Sequence, residues 1–379
     1  MDTLTHALSG ALLARATAGI EKPALPLGRR VAIGALVAAF PDADIVATWI
    51  SPLSYLYHHR GVTHSLVMLP VWTVLLAWLL ALIWRGGPNW RTYAPVVALS
   101  LFIHIAGDWI TTFGTMIFAP LSDYRHGIGT TFIIDLWFTG IILAGLALSL
   151  LWRRSRWSAV AGLGVLAAYV VFQFVQLQGA LDFGERAARE QGLSPVKVSA
   201  LPRPVSPFNW MVILESDTGY RYSHVNLLRK SVITAAPDAG LIARLDVVYR
   251  PLDQAVWEND VRYGKGSQGA AVRTAFEHPE FAFFRWFSAY PALHEVDIGA
   301  SHLCVWFKDL RFLTPGRDAL PFIYGMCSEG AGPLRPYQLS DGARLRVYLA
   351  RPRWSRLVQG CRRCIVLERC RSRGYQLSI

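Results

Sequence analysis

The segment that decides the fold of the first half of the chain is residues 99–110, LSLFIHIAGDWI. This apolar run holds one histidine and one aspartate, His104 and Asp108. Their i, i+4 spacing places an imidazole and a carboxylate on one helix face, about one turn apart, where both can bind a single ion. A helix whose histidine only forms hydrogen bonds can show the same spacing. The sequence of the neighbouring segments is therefore needed to distinguish a metal site from such a helix.

Apolar stretches surround this run throughout residues 1–181. Four of them, residues 61–84, 93–109, 132–152 and 157–181, approach or exceed the roughly 20 residues that a helix needs to cross a bilayer. Two shorter candidates lie at residues 6–20 and 31–50. A cleaved secretory signal fits poorly, because residues 1–3 carry no cationic group. The pattern predicts an all-α polytopic membrane helical bundle of about four to six membrane helices.

Residues 182–379 have the composition of a soluble domain. Runs rich in β-forming residues lie at 210–215, 220–228, 241–249, 302–313, 321–327 and 344–350, and the best helical pattern spans residues 272–290. The prolines of residues 194–207 are typical of a linker. We therefore expect a soluble α+β accessory domain over residues 182–379.

Basic residues predict how the bundle is oriented. Lys and Arg are concentrated in three connections that alternate with the spans, at residues 22–30, 85–91 and 153–156. Such an excess marks cytoplasmic loops, so the intervening loops and residues 182–379 are predicted to lie on the periplasmic side of a bacterial inner membrane. The net charge of +12 does not indicate nucleic acid binding, because basic residues near spans already serve topology and lipid contact.

Under this topology, the histidines and acids of the first half collect on the outward side. The histidines are His6, His58, His59, His64, His104 and His126, and the acids are Asp2, Asp42, Asp44, Asp108, Asp123 and Asp135, while Glu21 alone lies opposite. Ionisable groups in membrane helices are costly unless they are paired, hydrated or bound to metal. The alternative is a set of polar caps at helix ends, which would account for aspartates but not for six histidines.

The types of ligand atom in this half restrict which metal ion can bind. Residues 1–181 contain no cysteine, which excludes a structural thiolate zinc site there. A divalent transition metal fits such donors, zinc first, with manganese or iron as alternatives.

Several motifs of this half carry a family resemblance. In chain order they are MDTLTHALSG at 1–10, PDAD at 41–44, HRGVTHS at 59–65, HIAGDW at 104–109, TTFGT at 111–115 and FIID at 132–135. Together they resemble the membrane-bound metal-dependent hydrolases of bacterial inner membranes. The resemblance covers most of residues 1–150 and implies a metal-dependent hydrolase domain.

That family is distantly similar to zinc-dependent phospholipase C and to the fungal single-strand-specific nucleases, which are soluble helical enzymes with a cluster of zinc ions. The order of their ligands is matched by His6, Asp42 or Asp44, His59 or His64, His104 and Asp108. Their second His-x-x-x-Asp/Glu pair has no counterpart after His126. The resemblance therefore implies one or two ions rather than three.

We assign the candidate residues as follows. The predicted metal ligands are His6, Asp42, His64, His104 and Asp108. The predicted catalytic residues are Asp44, His59 and Asp135, which bridge or orient ligands, and Arg60, which receives an anionic group or anchors at the interface. His58 and His126 are left open between site and surface, and His224, His278, His294 and His302 are taken as ordinary histidines.

The predicted function is hydrolysis by metal-activated water of a phosphoester or ester, such as a lipid head group at the outer face of the inner membrane. Membrane lipids are then the partners. A metal-binding transporter or sensor is the alternative, and its polar residues would be expected to continue through the bilayer. An intramembrane metalloprotease is weakened by the lack of His-Glu-x-x-His.

All five cysteines lie in the second half. Outside the cytoplasm disulfides are favoured, and we expect Cys304 to pair with Cys327. Cys361, Cys364 and Cys370 form a basic tail motif that is compatible with a zinc knuckle, a redox pair or part of a disulfide framework.

The topology is testable with a reporter that is active only in the periplasm. Fused after residue 379 it should be active, and fused within residues 85–91 it should be silent, because basic loops remain in the cytoplasm. The reverse pattern would place the histidine cluster and the second half in the cytoplasm.

Overall fold

The computed structural model describes residues 1–19, 25–84, 87–193, 197–236, 238–299, 302–315, 320–330, 332–340 and 343–347. The N-terminal half is helical. Its α-helices are α1 (Thr3–Ala16), α2 (Leu27–Ala39), α3 (Pro52–His58), α4 (Leu69–Ile83), α5 (Trp90–Trp109), α6 (Leu136–Leu151) and α7 (Trp157–Glu190), with 3-10 segments at Phe40–Trp49 and Val62–His64.

Helix α1 is the centre of the bundle and contacts α2, α5, α6 and α7. Glycines let α2 come close. A Cβ on Gly10 would lie 2.2 Å from the carbonyl oxygen of Gly34, so only glycine permits this backbone contact. The close contact brings the N-terminal end of α1, which carries His6, against the segment that follows α2.

Fewer helices than predicted qualify as membrane spans. Among the described residues, two are long and apolar enough, Leu27–Trp49 and Trp157–Glu190, and a third is obtained if Leu53–His64 and Leu69–Ile83, bent by 81°, form one broken span. The prediction of four to six spans is therefore wrong by this measure. Helices α4 and α6 have 15 and 16 residues, about 23–24 Å against a hydrocarbon core of about 30 Å, and α5 carries Arg91, His104 and Asp108.

The described part of the C-terminal half contains two antiparallel sheets. The first contains β1 (Lys197–Pro202), β2 (Asn209–Glu215), β3 (Gly219–Asn226) and β4 (Trp257–Val261), in that order. The second contains β5 (Pro291–Ile298), β6 (His302–Asp309), β7 (Ile323–Glu329), β8 (Arg335–Ser340) and β9 (Ala343–Arg346), also in chain order. Helices α8 (Leu241–Asp246), α9 (Gly266–Glu277) and α10 (Ala282–Phe287) lie between strands.

Three predictions for this half need correction. Residues 241–249, predicted as a strand, contain the exposed helix α8. The predicted helix 272–290 is broken by Pro279, which separates α9 from α10. Part of the predicted linker 194–207 forms β1, an edge strand that ends at Pro202, where a missing N–H is tolerated.

The two halves are in contact with each other. Helix α7 runs past residue 181 and packs on the first sheet, where a Cβ on Gly184 would lie 2.5 Å from a methyl of Val198. Leu53, Leu56 and Phe113 of the N-terminal half share a core with the aromatic side chains of α10 and the second sheet.

Cys304 and Cys327 face each other on β6 and β7 and form a disulfide, as predicted. The tail cysteines Cys361, Cys364 and Cys370 lie outside the described residues.

Candidate metal centre

The five predicted ligands converge from four elements. His104 and Asp108 lie one turn apart at the C-terminal end of α5, and both are fully buried. His6 of α1 stacks on His104, with ring centroids 3.7 Å apart. Asp42 belongs to the 3-10 segment Phe40–Trp49, and His64 to the turn Val62–His64.

The distances between these side chains are compatible with a metal-binding site. His64 Nε2 lies 3.2 Å from Asp108 Oδ2 and 3.5 Å from Asp42 Oδ1. His104 Nε2 lies 3.6 and 3.7 Å from the same two atoms. Zinc holds nitrogen and oxygen ligands at about 2.0–2.2 Å, which separates the corners of a tetrahedron by about 3.3–3.6 Å. One atom each from His6, Asp42, His104 and Asp108 lies within 4.8 Å of the others.

The inward-facing atoms have no hydrogen-bond partner. His64 Nε2, His104 Nε2 and Asp108 Oδ2 are buried and unsatisfied, although buried polar atoms are nearly always paired. The outer nitrogen of His104 is engaged, because its Nδ1 donates to the carbonyl oxygen of Ala38 at 2.6 Å. A proton on Nδ1 leaves the Nε2 lone pair facing the carboxylates, as in metal-bound histidines. These residues therefore fit a divalent cation.

The second oxygen of Asp108 contacts Arg60 and the amino group of Met1. Asp108 Oδ1 lies 2.8 Å from Arg60 Nη2 and contacts the amino group of Met1. Arg60 also donates to the hydroxyl of Thr111 at 2.8 Å. Because Arg60 is 1% exposed, it orients a buried carboxylate and is not an interfacial anchor. Its φ of 57° is unusual for a residue with a side chain, which indicates that these contacts hold it in place.

Asp44 and His59 form a dyad beside the cluster. Nδ1 of His59 donates to Asp44 Oδ1 at 2.9 Å, and Asp44 Oδ2 accepts the backbone N–H of Arg60 at 3.0 Å. The hydroxyl of Thr63 donates to Asp44 Oδ2 at 3.3 Å and lies 2.9 Å from Nδ1 of His64. The His59 side chain is 16% exposed, and because Asp44 engages Nδ1, the other ring nitrogen is Nε2.

The structure places Asp135 in a different network. Its carboxylate caps α6 by accepting from the backbone of Trp137 and Phe138, and it also accepts from Tyr169 at 2.9 Å and Gln173 at 3.1 Å. These contacts are those of a residue that holds α6 on α7.

The remaining histidines lie outside the cluster. His58 is exposed at the end of α3, and His126 packs on the rings of Phe118 and Tyr124. In the second half, burial and the charge of Arg203 lower the pKa of His224 to about 3, so it is neutral. Across the described residues, His6, Asp42, His104 and Asp108 form the one set of His, Cys and acidic side chains spaced to hold an ion.

Sequence reasoning missed a layer of arginines behind the dyad. The ring of Phe113 lies 5.5 Å from that of His59 and is covered by the guanidinium groups of Arg60, Arg125 and Arg311, at 4.9, 5.2 and 5.9 Å. Arg311, from the C-terminal half, donates to the carbonyl oxygen of Phe113 at 3.0 Å. No local pattern signals a contact between residues so far apart in the sequence.

Arg125 completes this layer. Its Nη2 donates to the carbonyl oxygens of Leu56 and His59, at 2.9 and 3.1 Å. Burial, followed by the charges of Arg311 and Arg60, lowers the pKa of Arg125 to about 9, so it remains a cation at neutral pH. The backbone that presents His59 is thus tied to the same layer.

Comparison with known proteins gives a match for the N-terminal half of the chain. The family model of the YdjM inner membrane protein matches residues 1–180. The N-terminal half therefore resembles a bacterial inner-membrane protein family, in agreement with the predicted location. No curated protein and no solved structure matches the chain. The family's description states a location and no activity.

Metal analysis of the purified full chain tests the centre. Wild-type protein should retain a divalent transition metal, and His104→Ala or Asp108→Asn should lower its content well below one ion per chain, because each removes an inward-facing donor. His58→Ala is the matched control, since His58 is exposed and should leave the content unchanged. Full occupancy in both site variants would remove those residues from the coordination sphere.

Proposed function

We propose that this chain is a membrane-bound metal-dependent hydrolase that cleaves a phosphoester or ester, such as a lipid head group. The observation that supports this is the convergence of three buried side-chain atoms that form no hydrogen bond. They are His64 Nε2, His104 Nε2 and Asp108 Oδ2. One or two divalent ions, zinc before manganese or iron, would be held by these residues with His6 and Asp42. A bound ion would lower the pKa of a water toward neutrality and polarise the oxygen under attack.

The residues of the chain orient and charge the site. The carbonyl of Ala38 fixes the tautomer of His104, and Arg60 holds Asp108 so that its free oxygen faces inward. Removal of hydrogen bonds that orient metal ligands typically lowers metal affinity or activity by about 10–100-fold.

Proton transfer is assigned to His59. Asp44 accepts from Nδ1 and therefore fixes the tautomer in which Nε2 is basic. In this orientation Nε2 can take a proton from the attacking water and return one to the leaving group. Asp44 orients the ring and stabilises its protonated form, as the aspartate of a catalytic triad does.

Apolar side chains near the site favour a lipid-borne substrate. Ile45, Trp49 and Ile50 follow the ligand Asp42 within one 3-10 segment and its end, and they are 58%, 86% and 78% exposed. Leu4, two residues before His6, is 66% exposed. Exposed aromatic and aliphatic side chains of this kind are typical of membrane interfaces. A phosphoester held at head-group depth would reach the site from this side.

The periplasmic location of the site and of the C-terminal half is part of the proposal, as is a multi-pass bundle. The disulfide between Cys304 and Cys327 favours an oxidising compartment. The core of the bundle contains apolar side chains such as Leu12, Val97 and Leu101. This disfavours the transporter alternative, because a transporter is expected to have polar residues along an ion path through the bilayer.

A kinetic comparison of His59→Gln with His58→Gln tests the mechanism. We expect His59→Gln to lower kcat by about 10²–10⁴-fold on chromogenic phosphoesters or esters, with metal content retained, because it removes proton transfer but no ligand. His64→Ala should lose both metal and turnover. The neighbouring His58→Gln should behave as wild type.

Two results would contradict the proposal. One is equal activity of His59→Gln and His58→Gln. The other is metal-loaded wild-type protein that cleaves no phosphoester or ester, yet moves the ion across proteoliposomes, which would identify a transporter.

A further inference from the structure

A basic pocket lies at the other end of the bundle from the metal centre. Arg15 follows His6 on α1 by nine residues, about 14 Å along the helix axis. The pocket has a volume of about 300 Å³ and is lined by four arginines, Arg15, Arg153, Arg154 and Arg156, together with Ala18, Gly19, Leu25 and Leu27. Its position next to the turn between α6 and α7 suggests a binding role distinct from that of the metal centre.

The pocket is held in place by a buried arginine. Arg15 is 7% exposed, and its Nη2 donates to the carbonyl oxygens of Arg153 and Ser155 at 2.9 and 2.6 Å. Nε of Arg156 is buried and has no hydrogen-bond partner. Among the residues that the structure describes, no acidic side chain forms an ion pair with any of these arginines. A pocket lined by four guanidinium groups is suited to an anion.

An apolar groove begins at the same turn. It has a volume of about 560 Å³, within the range of ligand pockets, and runs between α6 and α7. The helices touch at a glycine pair, where a Cβ on Gly145 would lie 3.3 Å from Cα of Gly162. Ala144 and Ala161 also line the groove, and their small side chains leave space in it.

The turn between α6 and α7 joins the two features. Trp152, Ser155 and Trp157 line the groove, while the arginines that alternate with them line the pocket. Charge and apolar surface therefore meet along six consecutive residues. The ligand that carries both chemistries is an amphiphile with an anionic head.

We propose that the groove and the arginine pocket together bind one anionic phospholipid. The phosphate lies against Arg154 and Arg156, and an acyl chain lies along α6 and α7. Guanidinium groups match phosphate oxygens in geometry as well as in charge. Basic pockets between membrane helices on the cytoplasmic side suit the anionic lipids of that leaflet. This site is independent of the hydrolytic centre and of its substrate.

Native mass spectrometry of the full chain tests the proposal. The protein is released from detergent that contains equal amounts of phosphatidylglycerol and phosphatidylethanolamine with identical acyl chains. One phosphatidylglycerol should be retained in preference to phosphatidylethanolamine. Arg154→Gln combined with Arg156→Gln should weaken its binding by about 10–30-fold, from the loss of two cationic contacts.

Two further variants separate the pocket from general surface charge. Arg91→Gln is the matched control, because Arg91 lies at the exposed start of α5, outside the pocket, and should bind the lipid as wild type does. Ala161→Phe fills the groove and should lower lipid retention while the arginines remain. Unchanged metal content and melting temperature show that each variant is folded.

Three results would overturn the proposal. The first is equal retention of the two lipids, which would leave the arginines a role in topology alone. The second is an equal loss in Arg91→Gln and the pocket variant. The third is full displacement of the lipid by free glycerol phosphate, which would indicate a site for a soluble anion.

Discussion

The buried carboxylate of Asp108 is the constraint on which the rest of the N-terminal half depends. Its side chain has no exposure, and an ionised carboxylate without a partner would cost several kcal/mol in such surroundings. Arg60 and the amino group of Met1 meet one oxygen, while the other faces His64 and His104. Asp42 and Asp44 also lie next to His64, so three carboxylates meet in one small volume. The proposed divalent cation would offset part of this negative charge, which is costly among apolar helices.

The same constraint links the two halves of the chain. Arg60, which neutralises Asp108, stacks on Phe113, and Arg311 of the C-terminal half donates to the carbonyl oxygen of Phe113. Arg125 ties the backbone of His59 to this layer. The C-terminal half therefore contributes to the site. Its Arg311 contacts Phe113, and the ring of Phe113 packs against His59, the proposed proton-transfer residue. The arginine pocket at the opposite end of the bundle is not part of this set of contacts.

Sequence reasoning reached the cluster but not its surroundings. The five candidate ligands could be chosen from the sequence because ionisable residues in an apolar helix, such as His104 and Asp108, are energetically costly and indicate a function. The number of spans was overestimated because hydropathy counts apolar residues, whereas turns and caps set helix ends, as the turn before α4 and the Asp135 cap of α6 do. Asp135 itself was assigned to the site although it caps a helix. The contact of Arg311 with Phe113 joins residues 198 positions apart and leaves no periodic signal.

The central claim is that histidine and carboxylate side chains of the bundle, and no cysteine, hold a divalent metal. X-ray absorption spectroscopy at the metal edge of the loaded full chain measures this directly. We predict only nitrogen and oxygen neighbours at about 2.0–2.2 Å, with the outer-shell scattering of several imidazole rings. Sulfur neighbours at about 2.3 Å would place the ion on cysteines of the C-terminal half and would contradict the account.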